Sequence, residues 1–245
     1  MIVAERKPFE EILKIIVSQR TDPDKCREGA KKVLVLGCGG CVTVCQTGGA
    51  KEAGILASML RLAPRCNIGG LEAQRNNQPL EVTDTTVERQ CDVEFIEPLA
   101  DKVKEADIVL SMACGAGVQF MSEKYPVAKV RPAMNTTFLG VTEEPGLWTE
   151  RCAGCGNCII DRTDGICPVT RCSKSLFNGP CGGSQGGKCE VSQDIICIWQ
   201  VIHDRLKEKG KLEYLDEIIP VKDWRTSRDG GPRRMKKEVA TKEEK

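Results

Sequence analysis

The first half of the chain repeats a pattern in which an apolar run ends at a glycine-rich break and a helical stripe follows. Pro8 opens a stretch in which Phe9, Ile12, Leu13, Ile16 and Val17 share one face at helical spacing, so a helix is predicted over 8–20 with a first-turn proline. Lys32-Val33-Leu34-Val35-Leu36-Gly37 is continuous and apolar, the pattern of a strand buried on both faces of a parallel sheet. A glycine- and cysteine-rich loop follows at once, and then AKEAGILASMLRL over 50–62, strong helix formers with an apolar stripe. The order recurs later. A helix is expected over Glu97 to Ala106, a buried strand over Asp107 to Met112, and a loop at Ala113-Cys114-Gly115-Ala116-Gly117. Repetition of these units predicts an α/β fold built on a small doubly wound parallel sheet.

Beyond about residue 140 the pattern changes. The segment from Cys152 to Cys197 holds eight cysteines, many glycines and few apolar runs, so metal ligation is expected to hold its loops together. A helical pattern returns over 195–209 with Ile198, Val201, Ile202 and Leu206 facing inward as a cap. From Arg225 the chain is polar, basic and punctuated by glycine and proline. The expected organisation is an α/β domain over 1–140, a Cys-rich metal-stabilised module with a helical cap over 141–220, and a basic, flexible tail over 221–245.

Charge excludes some partners. With 36 basic and 35 acidic residues the formal net charge is +1, which points to neither nucleic acid nor a membrane surface. No window approaches the roughly 18 apolar residues of a membrane span. The start, MIVAERKPFEEILK, carries acids where a signal peptide is apolar, so a cytoplasmic location is expected. Thiols are kept reduced there, which changes how the 15 cysteines are read. Their odd number argues against complete pairing, and a single histidine, His203, leaves all-thiolate sites for zinc or iron-sulfur clusters.

Two constellations carry this chemistry. GCGGCVTVCQTGG sets Cys38, Cys41 and Cys45 in a C-x2-C-x3-C spacing after the first strand, suited to three corners of a [4Fe-4S] cube. Cys114 is the choice for the fourth, since carboxyl ends of parallel strands converge on one crevice; Cys91 is the reserve, and Cys66 ranks below it. Isolated Cys26 and Cys66 fit a reading as small buried apolar residues. A dinucleotide loop is disfavoured in detail, because Gly37-Cys38-Gly39-Gly40-Cys41-Val42 lacks the third glycine of G-x-G-x-x-G. The second constellation, RCAGCGNC, gives C-x2-C-x2-C at Cys152, Cys155 and Cys158, with Cys167-Pro168 beyond. Bacterial ferredoxins close the same spacing with Cys-Pro after three residues rather than eight. Cys172, Cys181 and Cys189 are further candidates for this cluster or for a zinc ion, because spacing does not distinguish the two metals.

Other residues carry no such signal. His203 lies in the capping helix and is given no role, and Trp148, Trp199 and Trp224 are read as packing or interface anchors. The acid pairs Glu143-Glu144 and Glu243-Glu244 are read as solvated charge, and no nucleophile with a base can be assembled.

Taken together, GCGGCVTVCQTGG, ACGAGVQ, RCAGCGNCII and above all GICPVTRCSKSLFNGPCGGSQGGKCEV followed by CIWQVIHDRL resemble the small subunit of two-subunit bacterial methylenetetrahydrofolate reductases. The resemblance spans roughly residues 30 to 220, and CPVTRC with NGPCGG is its most specific part. It implies a flavin-containing TIM-barrel partner that reduces 5,10-methylenetetrahydrofolate to 5-methyltetrahydrofolate in one-carbon metabolism of the Wood-Ljungdahl type. This chain would then be a non-catalytic subunit without flavin of its own, relaying electrons through two [4Fe-4S] clusters and leaving room for further electron-donor subunits. The alternative is a zinc-stabilised structural subunit of the same complex, or zinc at one of the two Cys-rich sites.

Overall fold

A computed structural model describes residues 1–18, 32–63 and 80–236. It divides into two compact units, Met1–Thr149 and Glu150–Lys245. The first holds a four-stranded parallel sheet in the order β3-β2-β4-β5, formed by β2 (Lys32–Cys38), β3 (Glu81–Val87), β4 (Ile108–Met112) and β5 (Val130–Pro132). Alternation along β2 divides its side chains between two cores. Val33 and Val35 meet α1 (Phe9–Ser18) and α3 (Ala50–Leu62) on one face; Leu34 and Leu36 meet α5 (Ala100–Glu105) and α6 (Gly115–Lys124) on the other. Helices on both faces make the sheet doubly wound, as the continuous apolar runs of β2 and β4 required.

Three differences from the sequence expectation have physical reasons. The helix expected over Glu97–Ala106 is preceded by α4 (Val93–Ile96) and begins as a 3-10 turn at Glu97–Leu99; Pro98 there has no N–H to give. The loop expected at Ala113–Gly117 is shorter, because Cys114 already caps α6. A second sheet, antiparallel in its β1–β6 pairing, joins β1 (Ile2–Arg6), β6 (Met134–Glu144) and β7 (Leu147–Cys152) in the order β1-β6-β7. Its strands, like the polar edge strand β3, lack the apolar continuity that marks β2. The helix over 8–20 is observed as Phe9–Ser18, and residues 19 and 20 lie outside the described residues.

One buried amide ties the strand ends together. Gln90, fully buried in the loop after β3, donates through Nε2 to Leu36 O (2.8 Å) and Gly37 O (3.1 Å) on β2. Its Oε1 accepts from the Ser111 hydroxyl on β4 at 2.6 Å. The Gly39 N–H adds a bond to Val87 O at 2.8 Å. These contacts fix the carboxyl edge of three neighbouring strands, where the chain places its thiols.

The second unit has a small core of Ile166, Ile198, Trp199, Ile202 and Leu206, built around α8 (Ile198–Glu208). The only other α-helix described there is the single turn α7 (Pro168–Arg171). Residues 222–233 fold along the loop that follows β7. Lys222 Nζ donates to Asn157 O (2.7 Å), Thr226 Oγ1 to Cys155 O (2.9 Å) and Arg233 Nη1 to Gly154 O (2.9 Å). Among the described residues no helix is long and apolar enough to cross a membrane.

Two outcomes are expected. Leu110→Ala, at a fully buried position of β4, should cost about 2–5 kcal/mol, whereas Val127→Ala, at a position 94% exposed, should cost less than about 0.5 kcal/mol. Chemical denaturation and hydrogen-exchange protection of β2 and β4 measure the contrast. Gln90→Leu keeps the volume but leaves two carbonyls and a hydroxyl without their partner, so a loss of about 1–3 kcal/mol is expected, with faster exchange over residues 88–92.

Candidate metal centres

Thirteen of the 15 cysteines lie in described residues and all of them are free thiols, while Cys26 and Cys66 lie outside. Those of the first unit gather mainly at the carboxyl edge of the parallel sheet. Cys38 is the last residue of β2, and its Sγ lies 3.9 Å from Glu88 O in the loop after β3. Cys91 follows the Gln90 anchor, and Cys114 occupies the N-cap of α6 beyond β4. Adjacent strands thus deliver three thiols to one edge, as strand order dictates. The proximity has an electrostatic signature: burial raises the Cys91 pKa first, and the neighbouring Cys114 and Cys38 thiols raise it further. Two thiolates resist sharing a site, whereas a bound cation would reverse that preference.

Cys41 and Cys45 divide. Cys41 is exposed at the first position of the four-residue α2 (Cys41–Val44). Cys45 is buried in the apolar core beside β1, its Sγ 3.6 Å from both Val42 O and Thr47 Oγ1 and 3.9 Å from Ala4 O. The three cysteines of the C-x2-C-x3-C run therefore occupy different surroundings.

In the second unit, Cys152 ends β7 and accepts a hydrogen bond from the Gly154 N–H at 3.3 Å. Cys155 Sγ lies 3.8 Å from Asn157 O, and Cys158 is exposed. Gly154 and Gly156 have φ of 62° and 79°, left-handed values that glycine adopts without strain. At Gly156 a side chain would also strike Thr226 O, 2.1 Å from where its Cβ would stand. Cys167 caps α7 and its Sγ lies 3.6 Å from Thr170 Oγ1.

A further set surrounds α7 and the start of α8. Cys172, Cys181, Cys189 and Cys197 all line one cavity of about 20 Å³. Sequence reasoning named the first three and missed Cys197, although its place directly before the α8 stripe was visible. The Cys189 thiol is held below the ordinary range, first by its hydrogen bond with Ser173 (3.6 Å), then by the Val191 amide, with smaller contributions from the Ser192 amide and Lys174. Amides and hydroxyls aimed at sulfur favour the thiolate, the form that binds metal. Among the described residues no group of three or more His, Cys, Asp or Glu is gathered in metal-binding geometry. His203 is half-buried beside Asp204, with Nδ1 and Oδ1 3.0 Å apart. Trp148 packs against the first-unit core, Trp199 sits in the second-unit core, and Trp224 lies 5.9 Å from the Phe177 ring.

No curated protein and no solved structure matches the chain. One family model does, over residues 131–225, a stretch that contains every cysteine from Cys152 to Cys197 but none of Cys38, Cys91 and Cys114. The family is described as methylene-tetrahydrofolate reductase C terminal, and the likeness is confined to that stretch.

Proposed function

We propose that the chain is the iron-sulfur electron-transfer and scaffold subunit of a methylenetetrahydrofolate reductase complex. Its partner would be a flavin-containing TIM-barrel subunit that reduces 5,10-methylenetetrahydrofolate to 5-methyltetrahydrofolate. The observation that carries the redox part is the meeting of Cys38, Cys91 and Cys114 at the carboxyl edge of the sheet, with Cys41 a few residues beyond Cys38. The family match supports the association with the reductase.

The donor chemistry fits a cluster. Thiols from separate strand ends can each take one iron, and hydrogen bonds from surrounding groups to the sulfurs would tune such a cluster. Cys91 serves here as the additional ligand in place of Cys45, whose thiol is committed to the core beside Ala4 and Thr47. Cys152, Cys155 and Cys158, with Cys167, form the second set, and the Gly154 N–H already donates to Cys152 Sγ. Lys222, Thr226 and Arg233 draw three carbonyls of that loop outward, which leaves its amides for the sulfurs and brings positive charge to an anionic site. A [4Fe-4S] group bound by such residues would supply one-electron steps between a two-electron flavin and an outside donor. The residues themselves would hold the thiolates and tune the potential through hydrogen bonds.

Purification without oxygen followed by iron and acid-labile sulfide analysis tests the reading. About eight irons with equal sulfide per chain are expected, on the basis of four per cube. Cys91→Ser should remove about half of the iron, while Cys45→Ala should keep it and lower stability by about 1 kcal/mol. A chain that carries zinc and no iron would overturn the electron-transfer role and leave a scaffold.

A further inference from the structure

Residues 218–223 of the second unit lie between 3-10 turns at Leu212–Leu215 and Trp224–Thr226, and their burial is inverted. Ile218 is 83% exposed and Val221 95%, with Pro220 exposed between them, whereas the cation Lys222 is buried. We infer that Ile218, Val221 and Trp224 form a docking surface for the reductase subunit, whose matching face is an apolar pocket rimmed by carboxylates. This rests on the partnership proposed above and assigns the face of the chain that makes it.

The strap is held in place by polar groups. Asn178, from the NGPCGG run, gives its whole side-chain amide to one residue: Nδ2 donates to Ile219 O at 2.9 Å, and Oδ1 accepts from Ile219 N–H at 2.8 Å. Three residues on, Lys222 Nζ donates to Asn157 O at 2.7 Å and lies 5.7 Å from the centre of the Trp224 ring. Asp223 Oδ1 accepts from the Arg225 N–H at 2.9 Å and starts the turn that carries Trp224. The indole in turn lies 5.9 Å from Phe177, the neighbour of Asn178. Ile219 and Lys222 are thus tied inward, and Ile218 and Val221 are turned out. Single exposed aliphatic side chains are ordinary on a protein surface, but two almost fully exposed ones beside an indole on a tethered strap form a patch. A backbone already fixed loses little freedom on binding, which favours association.

Charge selects the occupant. From Trp224 to Arg234 the chain carries Arg225, Arg228, Arg233 and Arg234 against one acid, Asp229. Arg225 pairs with Asp223, while Arg228 and Arg234 are exposed and have no ion pair among the described residues. Arg233 Nη1 donates to Thr226 O at 3.0 Å, which folds this basic stretch back beside the Trp224 turn. A second copy docked about a two-fold axis would set the basic rim against itself, so self-association is opposed. A partner with carboxylates around an apolar pocket is matched at both centre and rim. The apolar centre, from Phe177 to Trp224, falls inside the stretch 131–225 that matches the reductase family model, which favours the reductase subunit over an unrelated acidic protein. The same strap is bonded to the loop of Cys152, Cys155 and Cys158 through Asn157 O and Cys155 O. A reductase subunit seated here is therefore next to thiols proposed for electron transfer.

The test titrates the purified full chain against the purified reductase subunit, without oxygen and at several salt concentrations. Ile218→Asp and Val221→Asp should each weaken binding about tenfold or more, because each places an unpaired charge in an apolar pocket. Val127→Asp, at a position 94% exposed in the first unit, should leave binding unchanged. All three side chains lie outside the core, so circular dichroism and melting should match the wild-type chain. Arg228→Glu combined with Arg234→Glu should slow association and flatten its dependence on salt. Asn178→Ala should speed hydrogen exchange of the Ile219 amide and weaken binding while the apolar side chains remain. A complex as tight with Ile218→Asp and Val221→Asp as with the wild-type chain would overturn the surface and leave the partnership standing. Absence of any complex with the wild-type chain would overturn the partnership, and the surface with it. Self-association of the wild-type chain that Val221→Asp abolishes would assign the patch to a second copy and overturn the inference.

Discussion

The buried amide of Gln90 is the constraint on which the first unit's chemistry depends. It takes both donors and the acceptor of one side chain to join β2, β4 and the loop after β3, and all of its partners are buried with it. Inside a core a satisfied polar group of this kind fixes one arrangement, because each alternative leaves a carbonyl or hydroxyl without a partner. The residue that follows is Cys91, so the anchor that closes the sheet edge also decides where this thiol stands. Cys38 and Cys114 need no such device. They are delivered by the last residue of a strand and the first capping position of a helix, places set by the sheet itself.

The second unit manages its cysteines in another way. Its regular structure is sparse, its core is centred on Trp199 and α8, and many of its backbone bonds run between loops. In such a unit hydrophobic burial is small, and side-chain to backbone bonds assume more of the work of holding the loops. Trp199 Nε1 donates to Leu176 O at 3.2 Å, and Gly179 lies against the indole so closely that a Cβ there would stand 2.5 Å from the ring. The bonds from Lys222, Thr226 and Arg233 pin the loop that carries Cys152, Cys155 and Cys158.

The chain's own order made some of this legible. The apolar continuity of β2 and β4, the stripe of α1 and the return of helical spacing at α8 were readable, because burial on a regular element repeats with that element's period. The C-x2-C spacings and the resemblance carried by CPVTRC and NGPCGG pointed to metal and to the reductase family, whose C-terminal model matches residues 131–225. The strands β1, β6 and β7 and the polar edge strand β3 were not readable. Their side chains are half exposed, so no apolar run sets them apart from loops.

Tertiary structure alone decided which thiols meet. Cys45 stands only a few residues from Cys38 yet lies in the core beside β1, while Cys91, far along the chain, reaches the edge shared by Cys38 and Cys114. Cys197 joined Cys172, Cys181 and Cys189 in the same manner, across loops that carry no periodic signal. Likewise the basic stretch after residue 221 showed nothing of its bonds to the loop over 154–157. Local pattern determined the buried strands β2 and β4 and the helices with a clear apolar stripe, and marked the clustered cysteines as candidate ligands, because each of those is a property of neighbours in the chain. Their grouping depends on strand order and loop closure, which bring together residues distant in sequence, and spacing holds no record of that.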